Sequence, residues 1–269
     1  YIQSVLDAAG NKPYATEWYR KKIKEFGQPG RLDLIRDGKQ AARPFGGTLN
    51  MFVYGPKFKK KLKLPKASED PRPAGYLTAR KLNPDHFYYA KHFKKFVNSL
   101  KQTFDDEKHD EERIIIPLYY EKNLIGLQGR SIKPNPVKYI TVMLDDDAPK
   151  IYGLDNIRRD APVYITEGPF DCTFIRNAIA MCGADANVDR WGISNRVWIY
   201  DNEPRNREIV NRISKTIDSG DSVVIWPEGI DDKDINDMVM SGLDVQSVIE
   251  SNTYSGLQAK LKFTTWKKI

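Results

Sequence analysis

Three clusters of carboxylates, each directly after an apolar run, are the residues of this chain with the clearest chemical meaning. Glu167 and Asp171 follow Val163-Tyr164-Ile165-Thr166. Asp201 and Glu203 follow Arg196-Val197-Trp198-Ile199-Tyr200, and Asp231, Asp232, Asp234 and Asp237 follow Ser222-Val223-Val224-Ile225-Trp226. Carboxylates gathered in one place repel unless a cation stands among them. Oxygen donors select a hard cation, so Mg²⁺ is expected, with Mn²⁺ as its substitute. Acids bridged in this way suit phosphoryl or nucleotidyl transfer, because the cation offsets charge developing on the transferring phosphate. Taken singly, Asp171, Asp234 and Glu203 also read as helix caps or first-turn acids, which the helix macrodipole favours. That reading covers one acid at a time and explains poorly why acids recur after three strands in succession.

The elements that must position these acids follow from the surrounding pattern. Helices are expected over about 170–180, 204–218 and 235–241, one after each apolar run. Strands alternating with helices imply a parallel sheet, and in an open parallel sheet ligands bind beyond the carboxyl ends of the strands. Further upstream, residues 74–100 read as helical, with Tyr88, Phe93, Phe96 and Val97 as core. Residues 113–120 and 124–130 read as a hairpin turning at Glu121-Lys122-Asn123, with another strand at Val137–Val142. Residues 2–26 have helical spacing that ends at Gly27-Gln28-Pro29-Gly30. No sustained period follows until about Pro73.

Composition narrows the class. The 269 residues are 40% apolar and 29% charged, which places the chain among folded proteins and outside the disordered class. No apolar run approaches the roughly 18–20 residues that span a bilayer, and nothing at the start reads as a signal sequence. Two cysteines, Cys172 and Cys182, make no disulfide framework, so an intracellular protein without a membrane partner is expected. Residues 1–66 hold 15 Lys+Arg against 5 Asp+Glu, a net of +10, whereas the remainder nets −3. A basic front on an acidic back suggests that one part meets a polyanion and the other holds cations. Lys57, Lys59, Lys60, Lys61 and Lys63 form the densest basic run and suit phosphate contact, a solvated linker being the alternative.

Glu167-Gly168-Pro169-Phe170-Asp171, Asp201-Asn202-Glu203 and Lys233-Asp234-Ile235-Asn236-Asp237, in that order, resemble the TOPRIM domain of primases and topoisomerases. Glu203 departs from the pattern, which usually has Asp there; the carboxylate is kept with one more methylene. Upstream, Ile125-Gly126-Leu127-Gln128-Gly129-Arg130, Lys138-Tyr139-Ile140 and Lys150-Ile151-Tyr152-Gly153-Leu154 resemble the basic subdomain of DnaG-type primases. So do Ala74–Arg80 and Phe87-Tyr88-Tyr89 at its start. The likeness tightens to the primases of T-even bacteriophages around Arg196-Val197-Trp198, Asp201-Asn202-Glu203-Pro204-Arg205, Asp234-Ile235-Asn236-Asp237-Met238 and Gly256-Leu257-Gln258-Ala259-Lys260. It runs from about residue 74 to the end.

This resemblance implies an α/β fold: a TOPRIM parallel-sheet domain preceded by a mixed α+β basic subdomain. The expected organisation is a basic helical and linker segment over 1–73, the nucleotide- and template-binding subdomain over 74–160, the catalytic domain over 161–243 and a tail over 244–269. The tail is sparing enough in apolar residues that it is expected to order against a partner. The implied activity is synthesis of short RNA primers from ribonucleoside triphosphates on single-stranded DNA. Glu167, Asp201 and Glu203 are implied as catalytic, and these three with Asp171, Asp234 and Asp237 as metal ligands. Asp237 could instead only cap its helix. Arg130, Lys138 and Lys233 would contact nucleotide or template, a role suited to a planar guanidinium and to point charges. The family also implies a hexameric helicase and a single-strand-binding protein as partners, the cytoplasm of an infected bacterium as location, and a zinc ribbon upstream of Tyr1. Zinc is not expected in this chain, because Cys172, Cys182, His86, His92 and His109 lack ligand spacing. Two alternatives remain open: a TOPRIM nuclease of the overcoming-lysogenisation-defect or ribonuclease type, and a non-catalytic nucleic-acid-binding replication module.

Overall fold

The computed structural model describes residues 62–183 and 188–269. The helix expected over 2–26 and the lysines Lys57, Lys59, Lys60 and Lys61 lie outside these residues. Among the described residues no helix is long and apolar enough to cross a membrane.

A four-stranded antiparallel sheet comes first, with strands β1 (Tyr88–Ala90), β2 (Arg113–Tyr120), β3 (Asn123–Ser131) and β4 (Tyr139–Met143) in that spatial order. Helices α1 (Pro71–Thr78) and α2 (Phe93–Leu100) accompany it. Alternation along β2 sends Ile114 and Ile116 into one core with Leu77 and Phe87, and Ile115 into another with Phe93 and Val97. The expected hairpin is present, and its two-residue turn has Glu121 and Lys122 both in the left-handed region, at φ 51° and 62°. The Asp155 carboxylate accepts from both turn amides at 2.7 Å, which helps hold that conformation. Gly129 on β3 is required by packing, because a Cβ there would stand 2.5 Å from the Phe93 ring.

Residues 74–100 are not one helical stretch. Asn83-Pro84 interrupts it: proline biases the residue before it away from helix, and Asn83 caps a single 3₁₀ turn, Pro84–His86. The chain then emerges as β1, whose pairing with β2 outweighs the helical spacing, so Tyr88 is a half-buried strand residue.

The second sheet contains β5 (Ile151–Tyr152), β6 (Val163–Thr166), β7 (Ala178–Met181), β8 (Arg196–Trp198), β9 (Ser222–Val224) and β10 (Thr253–Tyr254). Their spatial order is β10-β9-β8-β6-β7-β5. The four central strands are parallel, as expected, whereas β5 and β10 close the two edges antiparallel. The helix expected over 170–180 is cut to one turn, α3 (Pro169–Cys172). Ala178-Ile179-Ala180-Met181 is instead β7. A four-residue apolar run cannot be told from a buried helix segment by periodicity, and here strand pairing decides it. Asn177, at φ 54°, turns the chain into β7 and anchors the turn by donating to Arg158 O and Pro162 O.

Helix α4 (Arg207–Asp218) starts at its Asn206 cap and buries Ile209, Val210, Ile213 and Ile217 with Val197 and Val224 of the sheet. Helices α5 (Ile235–Met240), α6 (Val245–Ser251) and α7 (Gly256–Trp266) complete the layer. The tail therefore does not wait for a partner to order. Val245, Ile249, Ala259, Phe263 and Trp266 share the core with Val223 and Val224, while Leu257 and Leu261 stay exposed. Cys172 and Cys182 are free and buried, and burial pushes both thiols up, away from nucleophilic use.

Candidate active site

Neighbouring strands β6, β8 and β9 end side by side, and each is followed by its acid cluster. Glu167 comes directly after β6. Asp201 lies just past β8, whose ladder continues one residue through Ile199 N to Ile165 O at 2.9 Å. The third cluster is placed by the cap of α5, where Asp234 accepts from Asp237 N at 2.8 Å. Asp171, on α3, accepts from Asn236 N at 3.0 Å, so it ties the first cluster to the third.

The electrostatics are those of one crowded group. Asp201 is pushed up to about 7, by burial first and then by Glu167, Asp234 and Glu203, with Lys233 opposing. Asp171 is also pushed up to about 7, by burial and then by Asp234 and Asp201. Burial raises Glu167 against the pull of Arg212 and, with Asp234 adding to it, raises Asp237. Two cations stand among the acids. Lys233 Nζ is 3.3 Å from Glu203 and 3.8 Å from Asp201. Arg212 Nη1 is 3.1 Å from Glu167 Oε1, a buried oxygen that has no hydrogen bond. Burial works against the charge on Lys233, but Glu203 and Asp201 outweigh it and raise its pKa.

Among the described residues no three His, Cys, Asp or Glu side chains converge closely enough to hold one ion as they stand. The donor set nonetheless fits a hard divalent cation. Its members are all oxygens, Glu167 Oε1 has no hydrogen bond, and burial followed by neighbouring carboxylates raises the Asp171 and Asp201 pKa values, a crowding that a cation would relieve. Asp234 is half-buried at its cap, and Asp237 and Asp231 are exposed. Asp232 is engaged by Ser241 Oγ at 2.9 Å.

Arg130, on β3, packs among aromatic side chains beside α3. Its Nε donates to Tyr76 Oη at 3.1 Å, and its guanidinium lies 4.6 Å from the Tyr139 ring centre and 5.8 Å from that of Phe170, the neighbour of Asp171. Lys138 is exposed on the segment before β4, and its carbonyl accepts from Arg113 Nη1 at 3.2 Å. Lys63, the described member of the basic run, is exposed.

Several residues that sequence reasoning passed over help build the site. Arg212 neutralises Glu167 and stacks 4.9 Å from the Tyr200 ring centre. In sequence it stands four residues after Glu208, as an ordinary surface pair would. Asn236, buried at the start of α5, exchanges hydrogen bonds with Arg80, donating to its carbonyl at 2.8 Å and accepting from Nη1 at 2.9 Å. That exchange joins the chain just after α1 to the acid cluster. Both partnerships span more than 40 residues, and a sequence carries no local signal for them.

The fold is that of DnaG-type primase catalytic cores. A DNA primase domain from Pseudomonas aeruginosa superposes with a TM-score of 0.55 at 17% identity, covering 71% of this chain and 75% of that one. The E. coli primase catalytic core gives 0.52 at 17% identity over 75% and 80%. The DnaG primase catalytic domain bound to single-stranded DNA gives 0.51 at 15% identity over 70% and 74%. In sequence the chain is 33% identical over 219 residues to the DNA primase of Enterobacteria phage T4, covering 77% of this chain. The chain spans 64% of that relative's length. No family model matches it. The DnaG-type resemblance thus holds in fold, and its T-even phage variant holds in sequence.

Proposed function

We propose that this chain is the catalytic core of a DNA primase, a DNA-directed RNA polymerase that joins ribonucleoside triphosphates into short primers on single-stranded DNA. The observation that carries this reading is the meeting of three acid clusters at the ends of adjacent parallel strands, with Arg130 of the antiparallel sheet packed against Phe170, the residue before Asp171. Glu167, Asp171, Asp201, Glu203, Asp234 and Asp237 would hold Mg²⁺, or Mn²⁺ in its place. When bound, the ion supplies the positive charge that eases deprotonation of the attacking 3′-hydroxyl and departure of pyrophosphate. The chain's own groups do the rest. Arg130, Lys138 and Lys233 bind and orient triphosphate or template phosphates. Arg212 opposes the upward push of burial on Glu167 and holds it against α4. Residues 74–160 serve as the nucleotide and template side and 161–243 as the catalytic side, with 244–269 packed onto the latter. Lys57, Lys59, Lys60, Lys61 and Lys63 track template phosphates. A hexameric helicase and an upstream zinc ribbon are the expected partners at the replication fork, in the cytoplasm of the infected host.

Arg130→Ala and Lys138→Ala test the reading against a nuclease, which needs the same acids but no triphosphate site. Labelled-ribonucleotide incorporation on single-stranded DNA should fall at least tenfold in each variant, as for loss of a charge-assisted phosphate contact. Cleavage of the DNA that survives both substitutions, without incorporation by the parent chain, would overturn it.

A further inference from the structure

We propose that Trp266 is a positioning residue for the acid cluster, holding Asp201 and Glu203 in place through the side-chain amide of Asn202. The proposal rests on the reading of those acids as a cation site. Asn202 lies between the two carboxylates in sequence and ties their strand end to the third cluster. Its backbone N donates to Lys233 O at 2.7 Å. Its Nδ2 donates to Ile230 O at 2.8 Å and to Asp232 O at 3.2 Å. The amide serves both carbonyls in one orientation only, because its oxygen end cannot donate. Trp266 Nε1 donates to Asn202 Oδ1 at 3.1 Å. An indole N–H is a donor and nothing else, so it selects the orientation that keeps Nδ2 on the two carbonyls.

A second bond from the same end of α7 reinforces the first. Lys268 N donates to Pro204 O at 2.9 Å, so the residues on both sides of Glu203 are held from one place. Beside them a cleft of about 800 Å³ opens between the 225–231 segment and α7, lined in part by Trp226, Glu228, Asp231, Tyr254, Lys262 and Trp266. With that space open, packing alone holds the acid-bearing segment weakly on this side, and directed hydrogen bonds set its position. Trp266 stands 65 residues from Asp201, yet it is separated from the acids by a single side chain.

Mn²⁺ binding, read as loss of the free-ion signal in electron paramagnetic resonance, tests the proposal on the full chain. Trp266→Phe keeps an aromatic ring and removes the donor. Lys268→Pro removes the second donor, and Lys267, at φ −66° and ψ 139°, already has the backbone that a following proline requires. Each variant should retain the parent's circular dichroism and bind Mn²⁺ more weakly, by up to about tenfold, the effect of one hydrogen bond. In an Asn202→Ala background the Trp266→Phe change should have no further effect, which general damage to the core would not reproduce. Parent-like Mn²⁺ affinity in both folded variants, or an undiminished Trp266→Phe effect without the Asn202 amide, would overturn the proposal. If Trp266→Phe fails to fold, Asn202→Ala alone decides: it should weaken Mn²⁺ binding, and parent-like affinity in that folded chain would overturn the proposal. A parent chain that binds no Mn²⁺ would sink the cation-site reading itself and this proposal with it.

Discussion

Asp171 and Asp201 each titrate near 7 because they are buried among other carboxylates, and this has a consequence for stability. Both pKa values are raised above those of the unfolded chain, so between the ordinary carboxylate range and about 7 the folded state holds protons that the unfolded state has lost. Stability without a divalent ion should therefore fall as pH rises through that window. Thermal melts from pH 5 to 8 should show a declining Tm that Mg²⁺ restores at the upper end and that Asp201→Asn flattens. A metal-free Tm that climbs over the same range would contradict the burial and crowding of these acids. Arg212→Gln leaves Glu167 without its counter-charge. Both side chains are about one-third exposed, so the cost in metal-free protein should be modest, about 1 kcal/mol by denaturant titration, and smaller with Mg²⁺ present. The acids themselves were legible in the sequence because each follows a strand-like run. Arg212 and Asn236 were not, because their partners lie far away along the chain.

Elements were legible where pattern and punctuation agree. Strands β6, β8 and β9 each show an apolar run followed by acid, and the β2–β3 hairpin shows two runs around a polar turn. β1 and β7 were hidden. The first sits inside a stretch with helical spacing, and the second is a run of four residues whose identity rests on its neighbours β6 and β5. Arg113 shows how an element can be set from inside. Its side chain is fully buried at the start of β2, and it donates to Gly129 O at 2.9 Å, Val137 O at 3.0 Å, Lys138 O and the Glu111 carboxylate. It thereby fixes the segment between β3 and β4 that presents Lys138. Arg113→Met should lower stability by about 3 kcal/mol, since it removes the charge-assisted hydrogen bonds that a fully buried guanidinium makes to three carbonyls and to Glu111. Under conditions where the variant is still folded, it should also weaken binding of a fluorescent ribonucleoside triphosphate. Unchanged nucleotide affinity would show that Lys138 needs no such support.

Over the whole molecule, charge and topology divide the labour. The basic excess is concentrated before residue 67, while the acids cluster at the ends of the parallel strands. Binding to single-stranded DNA should weaken steeply with salt, and replacing Lys57, Lys59, Lys60, Lys61 and Lys63 with alanine should flatten that slope with little dependence on base sequence. Fluorescence anisotropy at several salt concentrations reads both quantities, and an unchanged slope would make the run a solvated linker. The tail taught the opposite lesson. Its composition alone suggested a segment waiting for a partner, but a few apolar residues in register sufficed to build α6 and α7 into the core. The most direct test of the primase reading is primer synthesis on single-stranded DNA with labelled ribonucleotides and Mg²⁺, for the chain and for Asp201→Ala, with a primase zinc ribbon supplied. Short oligoribonucleotides made by the parent and lost in the variant are the expected result. Cleavage of the DNA that depends on Asp201, with no primers even when the ribbon is present, would contradict it.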